Sequence, residues 1–209
     1  MPEVFWERAM VKLFEFMIDD KTALLLIDVQ KGLDEWDFFG EERNNPHAEE
    51  NMASILIQWR KENRPVFHVQ HSSINLKSPL HASKAGFQIK DEVTPLKNER
   101  VITKEVNSAF IGTGLKNILK EKAIEKLVVV GLTTNHCVST SARMAANLGF
   151  EVILISDATA CFNGIGMDGT PYSAELMHQV SLASLKGEFA KIISTEELIE
   201  RLAKKGRSE

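Results

Sequence analysis

The sequence predicts an α/β fold: a single three-layer domain in which a mostly parallel, doubly wound sheet of six strands lies between two layers of helices. Short runs that are apolar at every position alternate along the chain with longer amphipathic stretches. Such strands are typical of parallel sheets whose two faces are both covered by helices. The length of 209 residues suits one domain and would be cramped for two.

The strands are predicted from continuous apolar runs that end at polar or turn-forming residues. In chain order they cover residues 23–28, 65–69, 101–103, 127–130, 152–155 and 190–193. Because amphipathic stretches separate them, we expect crossover connections through helices and hence parallel pairing.

The helices are predicted from apolar residues at helical spacing and from capping signals. Asn45 and Pro46 are typical of an N-cap and a first helical residue, and Thr113 is the predicted cap of the next helix. Ser194 with Glu197 forms a capping box that starts the last helix. The helix that starts at Pro46 covers residues 46–63, and two further helical stretches cover residues 137–148 and 172–186.

Residues 4–17 carry apolar side chains at helical spacing and predict an amphipathic helix before the first strand. We assign residues 1–20 to this helix as part of the same domain, and residues 21–209 to the main body of the fold. Its polar face mixes both signs of charge, which favours a helix that covers the core or contacts a second subunit over one that lies on a membrane.

The composition excludes several classes of partner. Lys and Arg number 25 against 29 Asp and Glu, a formal charge of −4, which gives no basic surface for nucleic acid or an anionic membrane. The longest uninterrupted apolar run, residues 23–27, is far shorter than the ~20 residues that span a bilayer. The first residues lack the apolar region of a secretory signal, and two cysteines make no disulfide framework. We therefore expect a cytoplasmic protein with a small-molecule substrate.

Three reactive side chains fall at the carboxyl ends of predicted strands, the edge at which doubly wound sheets bind ligands. Asp28 ends the first strand, Lys104 follows the third, and Cys137 follows the fourth at the start of a helix. Singly, each has an ordinary explanation as a turn residue, a solvated lysine or a buried cysteine. Together they suit nucleophilic catalysis, because a helix N-terminus and a lysine stabilise a thiolate while a carboxylate accepts its proton. Cys161 lacks such surroundings and is assigned to packing.

The chain contains three motifs in order: Leu-Leu-Leu-Ile-Asp-Val-Gln at residues 24–30, Ile-Thr-Lys with Asn-Ser-Ala-Phe at residues 102–104 and 107–110, and Gly-Leu-Thr-Thr-Asn-His-Cys-Val at residues 131–138. These motifs resemble those of the isochorismatase-like cysteine hydrolases. The resemblance covers nearly all of residues 21–195. It implies the isochorismatase-like, Rossmann-like form of the α/β fold.

The resemblance implies that Asp28, Lys104 and Cys137 form a catalytic triad that works without a metal or other cofactor. It implies hydrolysis of the C–N bond of a small polar amide or carbamoyl compound through a thioester. It also implies a non-proline cis peptide between Leu132 and Thr133, which would turn the Thr133 N–H toward the oxyanion beside the N–H of Cys137. We further expect a homo-oligomer, either a dimer or a tetramer.

The sequence departs from two branches of that family. Isochorismatases proper cleave a vinyl ether without a nucleophilic cysteine, so Cys137 argues against that reaction. Nicotinamidases carry a metal site with Asp-x-His at the end of the second strand, where this chain has Gln-His-Ser-Ser at residues 70–73. His68, His71 and His81 are a poor substitute, because the first two face opposite sides of one strand. A metal-assisted nicotinamidase and a non-catalytic protein that senses oxidants or binds ligands through its thiol are the alternatives.

Four residues near this edge receive roles from their position alone. Gln30, His71 and Phe110 are candidate substrate contacts. Gln30 equally suits the orientation of Asp28, His71 equally suits a neutral surface histidine without a function, and Phe110 equally suits core or subunit packing. His136 is assigned to packing or capping, since the resemblance implies Asp28 as the base.

Overall fold

The computed structural model describes residues 17–205 and has an all-parallel central sheet. The strands are β1 Thr22–Ile27, β2 Val66–His71, β3 Arg100–Lys104, β4 Lys126–Leu132, β5 Glu151–Ala160, β6 Gly164–Ile165, β7 Pro171–Tyr172 and β8 Lys191–Ile193. The main sheet has the order β3-β2-β1-β4-β5-β8, and β6 pairs with β7 as a separate antiparallel hairpin. The predicted six-stranded, doubly wound fold is confirmed.

Helices cover both faces of this sheet. They are α1 Trp36–Phe39, α2 Ala48–Lys61, α3 Leu115–Glu121, α4 Ser139–Asn147, α5 Ala174–Leu185 and α6 Thr195–Lys205. One apolar core joins α2 and α6 to one face through residues such as Met52 and Leu198, and a second joins α3, α4 and α5 to the other through residues such as Leu119 and Ala145. All six residues of β1 are buried because both faces are covered. No helix among residues 17–205 combines the length and the apolarity needed to cross a bilayer.

The predicted cap of α2 is wrong. Asn45 has a left-handed backbone with φ of +46°, and its side-chain amide donates to the carbonyls of Ser156 and Thr159 (3.0 and 2.7 Å). His47 is the residue that precedes α2. Asn45 therefore ties the loop before α2 to β5 and does not cap the helix.

Of the other two predicted caps, that of α3 is displaced by one residue and that of α6 is confirmed. Gly114, and not Thr113, precedes α3, although the Thr113 hydroxyl accepts a hydrogen bond from the Leu115 N–H (3.3 Å). The cap of α6 is confirmed, because Ser194 Oγ accepts from the Glu197 N–H at 3.1 Å. Caps whose partners lie within a few residues are thus approximately recovered from sequence.

The amphipathic helix predicted over residues 4–17 lies outside the described residues except for Met17. Residues 17–19 have no regular structure and lead into β1. The division of the chain near residue 20, the dimer or tetramer and the cytoplasmic location stay predictions.

A buried ion-pair network joins the loop before α2, the first turn of α2 and the loop between β2 and β3. Arg43 donates to both carboxylate oxygens of Glu49 (2.6 and 2.7 Å), and Lys90 Nζ is 2.6 Å from Glu49 Oε1. The three side chains are at most 9% exposed. Despite burial, these cations lower the pKa of Glu49 to about 2.

The strand order creates a crevice at the carboxyl edge between β1 and β4. The chain passes from β1 through β2 to β3 on one side, and then crosses to β4 on the other side of β1. Doubly wound sheets bind ligands at such a switch point. Gly131 permits the close approach of the two strands there, since its φ is +131° and a Cβ would collide with the Ile27 carbonyl oxygen.

Candidate active site

The three reactive residues predicted from the sequence meet at this crevice. Asp28 directly follows β1 and has a left-handed backbone with φ of +53°. Lys104 is the last residue of β3, and Cys137 lies in a π-helical turn, Thr134–Val138, between β4 and α4. They come together because parallel strands all end at one edge of the sheet.

The Lys104 ammonium group lies at the centre of the site. Its Nζ is 2.7 Å from Asp28 Oδ2, 3.3 Å from Cys137 Sγ and 3.2 Å from His71 Nδ1. The side chains of Lys104 and Asp28 are 0% and 2% exposed, so this ion pair is removed from water. One buried cation therefore touches both the acid and the thiol.

The second carboxylate oxygen of Asp28 is placed to accept a proton. Oδ1 is buried and has no hydrogen-bond partner among the described residues, and a carboxylate oxygen lies within 4.8 Å of Cys137 Sγ. Burial raises the pKa of Asp28, against the lowering influence of Lys104. A free oxygen and a raised pKa are the properties of a general base.

Burial favours the neutral form of the Cys137 thiol. Burial raises the pKa of Cys137 to about 12; the Asp28 carboxylate acts in the same direction, and Lys104 opposes both. Lys104 therefore stabilises the thiolate, as the sequence predicts, but burial outweighs this effect. The thiol proton has to leave as the sulfur attacks.

The peptide bond before the nucleophile turn, between Leu132 and Thr133, is cis, as the family resemblance implies. The Thr133 carbonyl accepts hydrogen bonds from the N–H groups of His136 and Val138 (3.1 and 3.2 Å). The exposed His136 ring places Nδ1 3.3 Å from the Thr133 hydroxyl. His136 thus contacts the residue that precedes its own turn, which agrees with a capping role.

Comparison with known proteins identifies the family. Residues 22–197 match the model of the Isochorismatase domain. The chain is 47% identical over 184 residues to the isochorismatase family protein YrdC of Bacillus subtilis, a match that covers 87% of this chain and 96% of that one. The chain belongs to the isochorismatase family.

Two further similarities agree with this membership. The fold matches the crystal structure of an isochorismatase-family protein from Chromobacterium violaceum with a TM-score of 0.86 and 37% identity, covering 90% of this chain and 97% of that one. Nicotinamidase 3 of Arabidopsis thaliana is 29% identical over 166 residues, which are 71% of this chain and 76% of the relative. The chain is accordingly an isochorismatase-family hydrolase.

Gln30 does not have the role predicted for it in this isochorismatase-family site. Its side chain is fully buried; Oε1 accepts from the His71 N–H (2.7 Å), and Nε2 donates to the carbonyls of His71 and Phe87 (3.1 and 2.9 Å). Both ends of the amide are bound to backbone, which leaves no group for a substrate. Gln30 instead fixes the end of β2.

Phe110 also lies away from its predicted place beside the substrate. Its ring stacks on Phe150, with centroids 6.0 Å apart. Phe150 directly precedes β5 and so lies at the amino edge of the sheet, opposite the edge that carries Asp28. The neighbouring Ala109 N–H donates to Ser141 Oγ of α4 (3.0 Å). Phe110 therefore packs beside α4, which is the alternative that the sequence left open.

The histidines do not fit a metal centre of the nicotinamidase kind. His68 Nε2 is 3.0 Å from Glu99 Oε2 within the core, and His81 Nδ1 is 2.8 Å from Ser83 Oγ in a loop. His71 faces the triad instead. The three rings have separate partners, so they form no common ligand set.

A different trio, Asp28, His71 and Cys137, does place potential ligand atoms within 4.8 Å of one another. Lys104 Nζ contacts all three at 2.7 to 3.3 Å. A buried ammonium group therefore already occupies the position that a cation would take. These residues do not fit a metal, and we derive no step through one.

A buried histidine supports the nucleophile turn from behind, and sequence reasoning missed it. His178 of α5 is 2% exposed, with Nδ1 3.0 Å from Thr134 Oγ1 and Nε2 3.4 Å from Asn45 Nδ2. Burial lowers the pKa of His178, so a neutral ring bridges the turn and the loop before α2. The available signal was a lone histidine among apolar residues of a helix, and its partners lie far away in sequence.

Proposed function

We propose that this protein is a cysteine amidohydrolase that cleaves the C–N bond of a small polar amide or carbamoyl compound through a thioester. The observation that carries the proposal is the buried contact of one ammonium group, that of Lys104, with both Asp28 and Cys137. The similarity to a nicotinamidase supports an amide as the substrate.

In the first half-reaction the Cys137 sulfur attacks the carbonyl carbon while its proton passes to Asp28 Oδ1. Lys104 stabilises the charge that forms on sulfur, and the raised pKa of Asp28 makes it a competent acceptor. The carbonyl electrons move to oxygen, and we assign the backbone N–H groups of Thr133 and Cys137 as donors to this oxyanion. Collapse of this tetrahedral intermediate breaks the C–N bond as Asp28 gives its proton to the leaving nitrogen, and the acyl group stays on the Cys137 sulfur.

The second half-reaction returns the site to its starting state. A water molecule gives a proton to Asp28, and its oxygen attacks the thioester carbonyl carbon. Collapse of the second tetrahedral intermediate breaks the C–S bond. The acid product leaves, and the proton passes from Asp28 to the Cys137 sulfur. The sum is amide plus water to acid plus amine, with no oxidant, reductant or cofactor consumed.

A screen for ammonia release tests the proposal, with nicotinamide, carbamoyl compounds and ureides as substrates. Lactam-like amides keep their nitrogen in the ring-opened product, so mass spectrometry of that product follows their hydrolysis. We expect hydrolysis of at least one of these compounds and a loss of roughly 10³-fold or more in Cys137→Ser, whose hydroxyl is a far weaker nucleophile at this site. Cys161→Ala is the matched control and should retain activity, because the buried Cys161 thiol donates to Asn135 Oδ1 and bonds none of the three triad residues.

Mass spectrometry of the protein mixed with substrate distinguishes the alternatives. An acyl group on Cys137 supports the thioester route. Oxidation of Cys137 with no acyl adduct and no turnover would support an oxidant sensor instead. Ammonia release that a chelator abolishes would support a metal-assisted nicotinamidase.

A further inference from the structure

We propose that His71 is a positioning residue of this site: its neutral ring, protonated at Nε2 alone, accepts one N–H of Lys104 and so directs the other two at Asp28 and Cys137. The inference rests on the proposed function only in that Lys104 assists the reaction. The geometry that carries it involves no substrate.

The ammonium group of Lys104 has three N–H donors and no acceptor. Three acceptors surround it: Asp28 Oδ2 at 2.7 Å, His71 Nδ1 at 3.2 Å and Cys137 Sγ at 3.3 Å. They come from the end of β1, the end of β2 and the turn after β4. Rotation about the terminal bond of the lysine is restricted when all three donors are engaged. His71 is the acceptor that supplies neither the nucleophile nor the base.

The surroundings of the ring select one protonation state. Nδ1 faces a cation and must be an unprotonated acceptor, while the ring also makes a hydrogen bond to the backbone of Val106 that favours a ring proton. With Nδ1 unprotonated, that proton is on Nε2. Burial and then the charge of Lys104 lower the pKa of His71, so the neutral ring is the form present at neutral pH.

The backbone of His71 is held independently of its ring. The Gln30 side chain binds both the N–H and the carbonyl of His71 (2.7 and 3.1 Å), and the Ser72 N–H donates to the Lys104 carbonyl (2.8 Å). The main chain at residue 71 is therefore tied to both β1 and β3. Substitution of the ring changes what faces Lys104 and leaves these ties in place.

Protonation of His71 would reverse its effect. The groups that face the ring are Lys104 of β3, Asp28 at the end of β1, Cys137 of the nucleophile turn and the Val106 backbone. A ring with both protons has no acceptor at Nδ1 and repels the ammonium from its place between the acid and the thiol. Asp28 also gains a proton as pH falls, and its protonation would also lower the rate. The loss of rate at acid pH therefore does not by itself report the protonation of His71.

The ¹⁵N NMR spectrum of the histidine-labelled full chain reads this protonation state directly, with substitution of residue 71 used to assign the signal. We expect an unprotonated Nδ1 and a protonated Nε2 at neutral pH, and a titration below the ordinary histidine range. A proton on Nδ1 at neutral pH would overturn the proposal, whatever the enzyme hydrolyses.

Two variants separate positioning from packing. In a Cys161→Ala background Cys137 is the sole thiol, and its alkylation rate at mildly alkaline pH reports how well Lys104 stabilises the thiolate. His71→Asn keeps an acceptor near Nδ1, and we expect a rate within about 3-fold of the parent. His71→Leu fills the space without an acceptor, and we expect a rate lower by about 10-fold.

Gln70→Leu is the matched control, because this neighbour at the same strand end bonds Thr103 Oγ1 on the surface (3.0 Å) and should leave the rate unchanged. Equal rates in His71→Asn and His71→Leu would show that the ring only packs, and would overturn the proposal. If His71→Leu does not fold, the NMR result on the unsubstituted chain decides. Absence of amide turnover in the parent would count against the proposed function and would change neither readout.

Discussion

Replacement of Asp28 by Asn is expected to stop turnover and yet make the Cys137 thiol more reactive toward an alkylating reagent. Asn has nearly the same shape and tolerates the left-handed backbone of residue 28, where φ is +53°. The change therefore removes the negative charge and the base with little change in side-chain shape, although the buried Lys104 ammonium group loses its anion. Both consequences follow from the same carboxylate, which accepts the thiol proton and also disfavours the thiolate.

The size of the effect on the thiol follows from one distance. A carboxylate oxygen lies within 4.8 Å of Sγ, and at an effective dielectric constant of about 20 two unit charges so placed repel by about 3 kcal/mol. Loss of that repulsion raises the thiolate fraction of Cys137 by about 10²-fold. Nucleophilicity falls along with the pKa, with a Brønsted slope of about 0.4–0.5, so the alkylation rate rises by about 10-fold.

Alkylation by iodoacetamide in a Cys161→Ala background, followed by mass spectrometry, measures this rate. Lys104→Met is the opposite control and should slow alkylation, because the thiolate loses its counter-charge. Alkylation of the denatured proteins should be equal in all variants. An unchanged or slower rate in folded Asp28→Asn would refute the role of the carboxylate in keeping the thiol protonated. Turnover within about 10-fold of the parent would refute its role as the base.

Three further predictions concern stability. Lys104→Met leaves the Asp28 carboxylate buried without its cation and should lower the free energy of unfolding by about 3–5 kcal/mol. Chemical denaturation measures this loss, and the added change Asp28→Asn should partly restore the stability. Gly131→Ala drives a Cβ into the backbone of Ile27 and should abolish soluble, cooperative folding. Gly149→Ala is the matched control: its φ of +91° also strains an L residue, but open space surrounds it, so the change should cost some stability and keep the fold. Because the pKa of Glu49 is lowered to about 2, its ionised carboxylate stabilises the fold at pH values above its ordinary pKa of 4.5. We expect the free energy of unfolding to fall by about 3 kcal/mol as pH is lowered from 4.5 toward 2, and to fall less in Glu49→Gln.

Patterns in the sequence were most successful where the structure depends on neighbours in the chain. The Ser194 cap of α6 is an example, since its partner is three residues away. They were insufficient for Asn45, whose carbonyl partners Ser156 and Thr159 are 111 and 114 residues away. They were insufficient too for the end of β5, which continues to Ala160 because that residue pairs with β4.

The same distinction holds within the active site. Asp28, Lys104 and Cys137 could be placed together from sequence because each follows a strand, and parallel strands end at one edge. Gln30 and Phe110 follow strands as well, but one amide turns into the core and one ring turns along α4. The direction of a side chain depends on which element packs against it, and that information is not local.

The sequence by itself determined the fold class and the three residues that meet at the sheet edge, because periodicity and position at a strand end are properties of short segments. Only the tertiary structure decided how those residues are protonated. The pKa values of Asp28 and Cys137 are raised because burial removes both groups from water, and burial depends on the packing of distant elements. The place of His71 against Lys104 was decided in the same way, since β2 and β3 are neighbours only in the folded sheet.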